Sequence, residues 1–157
     1  MNATIQPDDD RQPRREPLPT MALLRLDPMQ RIERLREGLE IGTLVEIAKA
    51  TDCPVAELLE LLQLSPASPV TVRNKNGLTT QESERVLAFL RIIQSVEDMV
   101  ANGGDSLSFD APRWTVNWFA RPCPALGGRR PADLADTLEG YRVLNQLIAQ
   151  LSSGAYS

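Results

Sequence analysis

No histidine occurs among the 157 residues, and only two cysteines, Cys53 and Cys123, stand far apart in the chain. The commonest general base is therefore missing, neither thiol has an imidazole to activate it, and a zinc site of the usual kind would need more Cys or His. Aromatic residues make up 4% against a hydrophobic content of 42%. A core must then be assembled from Leu, Ile, Val and Ala, a balance that favours helices over a β-sandwich. No apolar run approaches the ~20 residues of a bilayer span, and the opening "MNATIQPDDD" lacks the basic and apolar regions of a secretory leader. Two thiols fit a reducing compartment, although the sequence leaves a disulfide between them open. A cytoplasmic protein without membrane attachment is expected. The net charge of -4 argues against a general basic coat for nucleic acid but leaves room for a local basic face.

What is present reads as helix punctuated by turns. Residues 1–20 combine four prolines, three consecutive Asp and the bases Arg11, Arg14 and Arg15. They hold too little apolar surface to offset ordering, and a disordered tail over 1–26 is expected. Asp27 with Pro28 predicts a helix start and Gly38 its stop. Thr43 is expected to begin a second helix with Leu44, Ile47 and Ala48 on one face. Pro54 opens a third, whose Leu58, Leu59, Leu61 and Leu62 make it apolar nearly all round. In residues 65–77, "SPASPVTVRNKNG", Ser68 and Pro69 predict a short polar helix, although Val70, Thr71 and Val72 are strand-prone. Thr79 with Glu82 forms a capping box before the longest helix, where Val86, Leu90, Ile93 and Val96 to Val100 recur at helical spacing.

Gly103 and Gly104 mark a boundary. Asp110 caps the next helix, with Trp114, Val116 and Trp118, and Pro122 and Pro124 end it. Pro131 starts a single turn, and Thr137 caps a last helix whose Leu138, Tyr141, Leu144, Leu147, Ile148 and Leu151 share a face. The fold class expected is all-α, with a helical unit over 27–102 and a smaller one over 103–157.

Little here can do chemistry. Asp133 and Asp136 stand three apart beside a helix start, where carboxylates cap or favour the helix dipole. Gly127-Gly128 before Arg129-Arg130 resembles a phosphate cradle only superficially, since neither the preceding strand nor the G-x-x-x-x-G-K-[ST] spacing is present. A turn between helices explains the glycines as well. No catalytic residue, metal or cofactor is expected. The helix ending near Leu62, a Leu-Ser turn and the short polar helix are also the elements of a helix-turn-helix. It would offer Thr71, Arg73, Asn74, Lys75 and Asn76 to phosphates and base edges. An exposed polar segment between two core helices explains these residues equally well.

The C-terminal third, "NWFARPCPALGGRRPADLADTLEGYRVLNQLIAQLSSGAYS", resembles the toxin-binding domain of the Xre/MbcA/ParS antitoxins, partners of RES-domain toxins in bacterial type II toxin–antitoxin systems. Matching positions are Trp118, Pro124 to Gly128, Pro131, Asp133, Leu134, Asp136, Thr137, Gly140 and Gly154. "LTTQESERVL" resembles the segment after that family's helix-turn-helix, so the likeness covers roughly residues 40 to 157. Gln63 sits near a position where the family usually has glycine, and 65–77 carries Pro69 and two bases where relatives carry several.

The resemblance implies a function without catalysis. RES toxins are similar to ADP-ribosyltransferases and consume NAD or transfer from it. The antitoxin closes the toxin's active site with its C-terminal domain and tail, and the complex represses its own operon. Expected toxin-binding residues are Trp118, Gly127, Gly128, Arg129, Gly154, Tyr156 and Ser157, with Arg129 at a variable family position. The partners implied are a RES-domain toxin, operator DNA and a second copy of the chain within a hetero-oligomeric complex. The alternative reading is a helix-turn-helix regulator that acts without a toxin.

Overall fold

The computed structural model describes residues 19–64, 77–104 and 108–154, and over these the fold is all-α, with no strand among the described residues. Among the described residues seven α-helices run in chain order: α1 (Ala22–Arg25), α2 (Pro28–Glu37), α3 (Ile41–Thr51), α4 (Val55–Leu61), α5 (Thr80–Asn102), α6 (Ala111–Ala120) and α7 (Leu138–Ser152). Short 3-10 turns occupy Pro19–Met21, Pro124–Leu126 and Pro131–Leu134. The polar segment 65–76, with Thr71, Arg73, Asn74, Lys75 and Asn76, lies outside the described residues, as do Tyr156 and Ser157.

Helix starts follow local chemistry closely. Asp27 Oδ1 accepts the Met29 and Gln30 N–H groups at 2.9 and 3.0 Å, with Pro28 at the first helical position. The Thr79–Glu82 capping box is complete: Thr79 Oγ1 accepts the Glu82 N–H at 3.1 Å and Glu82 Oε2 accepts the Thr79 N–H at 2.9 Å. Such boxes satisfy two of the four donors every helix start leaves unpaired.

Two expectations need correction. Residues 19–26, read as the end of a disordered tail, form the first 3-10 turn and α1, and Thr20 and Met21 are buried. Arg31 holds this segment by donating to the carbonyls of Leu23, Leu24 and Leu26 at 2.8–3.2 Å. Helix α3 begins at Ile41, not at Thr43, because residues 39–40 are pinned from a distance. Leu78 N–H donates to Leu39 O at 3.0 Å, Glu40 bridges Gly77, and Ser83 Oγ accepts the Leu39 N–H at 2.9 Å. Along α7, Tyr141, Leu144 and Ile148 of the expected apolar face are buried, while Leu138 and Leu151 at its two ends are 56% and 42% exposed.

The core is organised around α5. Val86, Phe89, Leu90, Ile92, Ile93 and Val96 are all fully buried, and Leu87 and Ala88 on other sides of the helix are buried too, more than one stripe of a helix can account for. A helix apolar on several faces must be covered on several sides. Here α1 and α2 pack on it from the N-terminal part of the chain, and α6 and α7 from the C-terminal part. Phe89 meets Phe119 of α6 edge-on, ring centroids 5.0 Å apart at 87°, the arrangement favoured by the aromatic quadrupole. One hydrophobic cluster therefore runs from Met21 and Leu44 through α5 to Leu144 and Ile148. Each fully buried Leu, Ile or Phe contributes on the order of 1.5–3 kcal/mol.

Candidate functional site

The C-terminal stretch builds outward from α6. Asp110 Oδ1 accepts the Arg113 N–H at 3.3 Å, and Ala111, Thr115, Val116 and Phe119 face inward. Trp114 and Trp118, four residues apart and therefore on one face, are half-buried and stacked at 5.9 Å with 11° between the rings. Phe109 adjoins Trp114 at 6.3 Å. Trp118 also meets Phe119 edge-on at 5.8 Å, so it braces the core while one side stays at the surface.

After Ala120 the chain makes a compact loop. Gly127 and Gly128 have φ of 65° and 83°, the left-handed region that glycine enters without a Cβ penalty. Nothing lies within 4 Å of where a side chain would stand at either, so the requirement is one of backbone conformation and not of space. Both glycines and Arg129 are exposed. Gly154, with φ of 68°, follows the end of α7 and is exposed too.

The turn at Pro131–Leu134 ties this loop to the rest of the molecule. Arg130 Nη2 donates to Glu60 Oε1 of α4 and to Asp133 Oδ1, both at 3.1 Å, and Asp133 Oδ2 accepts the Arg130 N–H at 3.0 Å. These hydrogen bonds, to Glu60 first and then Asp133, raise the guanidinium's pKa further. Asp133 thus caps its own turn, the structural role expected of it. Gln63 Nε2 donates to Ala132 O at 2.9 Å, and Arg85 Nη1 donates to Gln63 O at 2.9 Å. Gln63 has φ of 52°, a conformation that costs a non-glycine residue about 1–2 kcal/mol. Two hydrogen bonds to distant residues hold the glutamine in it.

Gly140 seats α7 on the same turn. Its N–H donates to Thr137 Oγ1 at 2.9 Å, and a Cβ at this position would overlap the Leu134 carbonyl. Glycine is the residue that permits the approach. The sequence points to Gly140 through its motif but not to Glu60, Gln63 or Arg130, whose partners are distant in the chain.

The arrangement offers no reactive centre among the described residues. Burial, reinforced by the Glu57 carboxylate, pushes the Cys53 thiol up to about 11, the opposite of an activated nucleophile. No group of three or more His, Cys, Asp and Glu side chains among the described residues is placed to hold a metal ion, and no described helix is long and apolar enough to cross a membrane. An open groove of about 520 Å³ lies between α1, α2 and α3, lined by Leu23, Leu26, Glu33 and Glu46 among others, and no residue of 108–154 lines it. What residues 108–154 present is a surface: a half-buried tryptophan pair, a glycine-containing loop, and a helix with exposed Leu at each end.

That surface coincides with a family signature. Residues 104–154 match the antitoxin Xre/MbcA/ParS C-terminal toxin-binding domain. Over 142 residues, 90% of this chain and 89% of the relative, the sequence is 36% identical to a Prs ADP-ribosylating antitoxin of Sphingobium sp.. Over 127 residues, 80% of each protein, it is 27% identical to an antitoxin Xre of Yersinia enterocolitica. With the matched domain on the capped, glycine-hinged helices 104–154 and the likeness extending through α5 into the N-terminal helices, the chain belongs to the Xre/MbcA/ParS family of antitoxins.

Proposed function

We propose that this antitoxin neutralises a RES-domain toxin, one that consumes NAD or transfers ADP-ribose, by covering its active site with the surface built from residues 104–154, and that it does so without catalysis of its own. The observation that carries this reading is the coincidence of the toxin-binding domain match with the part of the chain whose packing leaves rings, glycines and apolar ends uncovered. The relative from Sphingobium sp. is named for an ADP-ribosylating system, which supports the class of toxin. Steric occlusion asks only for a rigid element held against an active-site mouth. Helix α7, seated through Gly140 on the Pro131–Leu134 turn, supplies such an element. In this reading Trp118, Gly127, Gly128, Arg129, Gly154, Tyr156 and Ser157 contact the toxin, and α7 carries the tail toward it.

The same chain is proposed to bind its own operator through Arg73 and Lys75, with Thr71, Asn74 and Asn76 beside them, as a homodimer within the complex. The unit over 27–102 then serves DNA and that over 103–157 serves the toxin. The deciding experiment mixes the purified chain with a purified RES-domain toxin and follows NAD consumption or ADP-ribosylation. Activity is expected to fall to background at stoichiometric antitoxin. A chain lacking residues 154–157 is expected to melt like the parent, since α7 ends at Ser152, and to inhibit less. A toxin that stays fully active with excess antitoxin would falsify the reading.

A further inference from the structure

The loop between α6 and the Pro131–Leu134 turn holds its shape without help. Cys123 N–H donates to Arg129 O at 2.9 Å, and the N–H groups of Leu126 and Gly128 converge on Cys123 O at 3.0 and 3.1 Å. Gly127 N–H adds a bond to Pro124 O at 3.0 Å and Arg129 N–H one to Leu126 O at 3.4 Å. With two prolines and five internal backbone bonds in nine residues, little conformational freedom remains to be lost on binding.

Leu126 packs against the core, while the rest of this rigid loop's apolar surface is uncovered. Pro122, Pro124 and Ala125 are exposed. At its two ends stand Arg121 and Arg129, also exposed, and neither guanidinium has a hydrogen bond or ion pair among the described residues. Other arginines nearby are compensated: Arg113 faces Asp52 at 3.7 Å, Arg142 faces Glu139 at 3.6 Å, and Arg130 has Glu60 and Asp133. In a chain of net charge -4, two uncompensated cations bracketing a rigid apolar crown form a distinct patch, inside the region matched as toxin-binding. Arginine is enriched and pre-organised apolar groups are effective at protein interfaces.

We infer that loop 121–129 is a docking element of this antitoxin, and that the toxin surface it takes is an apolar cleft rimmed by carboxylates. The inference rests on the toxin-neutralising role proposed above and adds the contact chemistry: Pro124 and Ala125 enter the cleft, while Arg121 and Arg129 meet acidic side chains on either side. Paired charges of this kind speed encounter and fix register, and their contribution weakens with salt.

The test uses the full chain with the double reversal Arg121→Glu and Arg129→Glu, and separately Ala125→Asp. Affinity for the RES-domain toxin of the neutralisation assay is measured by calorimetry at low and high salt, alongside thermal melting and the mass of the chain alone by light scattering. The double reversal is expected to weaken the Kd about tenfold or more and flatten its salt dependence. Ala125→Asp should weaken it similarly by placing a carboxylate in the cleft, and both variants should melt like the parent. A control with the same charge change outside 104–154, Arg25→Glu with Arg36→Glu, should retain parental affinity. Parental affinity in both loop variants overturns the inference, as does an equal loss in the control, which would assign the effect to net charge. A loop variant that instead changes the mass of the chain alone would give the crown to a second copy and also overturn it. If the parent itself fails to bind the toxin, the proposed function falls first and the docking role with it.

Discussion

Gly140→Ala is the substitution for which packing makes the sharpest demand. A Cβ there would overlap the carbonyl oxygen of Leu134 and crowd its carbonyl carbon. Both atoms are backbone, so no side-chain rotation relieves the contact, and either α7 or the Pro131–Leu134 turn must move. Movement opens the surface between them, where Ala132, Ala135, Tyr141 and Leu144 are all buried. Two effects oppose each other. Alanine is the better helix former by up to about 1 kcal/mol, while forced backbone displacement in a packed region costs about 1–3 kcal/mol and often more. The clash wins, with a net loss of about 2–3 kcal/mol expected, because the obstacle is backbone on both sides. At roughly 2–4 °C per kcal/mol for a chain of this size, Tm should fall by about 4–12 °C.

Gly42→Ala provides the paired control. Gly42 lies in α3 with nothing within 4 Å of the added Cβ, so only the propensity gain applies and Tm should hold or rise by about 1–3 °C. Melting followed by far-UV circular dichroism reads both variants under one set of conditions. If Gly140→Ala melts at or above the parent, the close approach of α7 to the turn is not what the residue secures.

Two further outcomes are expected. Replacing Arg73 and Lys75 together by Ala should weaken operator binding and lower the slope of log affinity against log salt by about one unit for each phosphate no longer neutralised; an unchanged slope in electrophoretic shifts would move the DNA-binding surface elsewhere. Tyr141→Phe should stabilise the chain by about 1 kcal/mol, because the Tyr141 hydroxyl is buried without a hydrogen-bond partner among the described residues while its ring, 6.2 Å from Phe119, is retained. A fall in Tm of that size would show that the hydroxyl is satisfied after all.

Family membership was legible in residues from Trp118 to Gly154 because they carry turn and cap chemistry that leaves a local imprint: Gly127-Gly128, Pro131 with Asp133, Thr137 and Gly140. Their individual roles were less so. Trp118 looks like a surface anchor in sequence, and in the fold it shares its faces between Trp114, Phe119 and solvent. Arg129 and Arg130 are neighbours of the same type in sequence, yet among the described residues Arg130 is bound to two carboxylates and Arg129 to none.

The amino-acid sequence alone determined the all-α class and the starts of α2, α5, α6 and α7, since each start depends on a donor and an acceptor two or three residues apart: Asp27, Thr79 with Glu82, Asp110 and Thr137. It also marked the longest helix, with Val86, Leu90 and Ile93 at helical spacing, but the central place of α5 came only with the fold, in which α1, α2, α6 and α7 all pack on it. The tertiary structure decided everything that depends on partners far along the chain. Helix α3 starts at Ile41 because Leu78 and Ser83 pin Leu39. Gln63 holds a left-handed backbone beside Ala132, 69 residues away. Leu138 and Leu151 at the ends of α7 stay exposed while Tyr141, Leu144 and Ile148 between them are buried, where α7 packs on α5 and on the Pro131–Leu134 turn. Local hydrogen bonds are written into neighbouring residues, whereas which face is covered, and which charge is left without a partner, follows only from how distant helices come together.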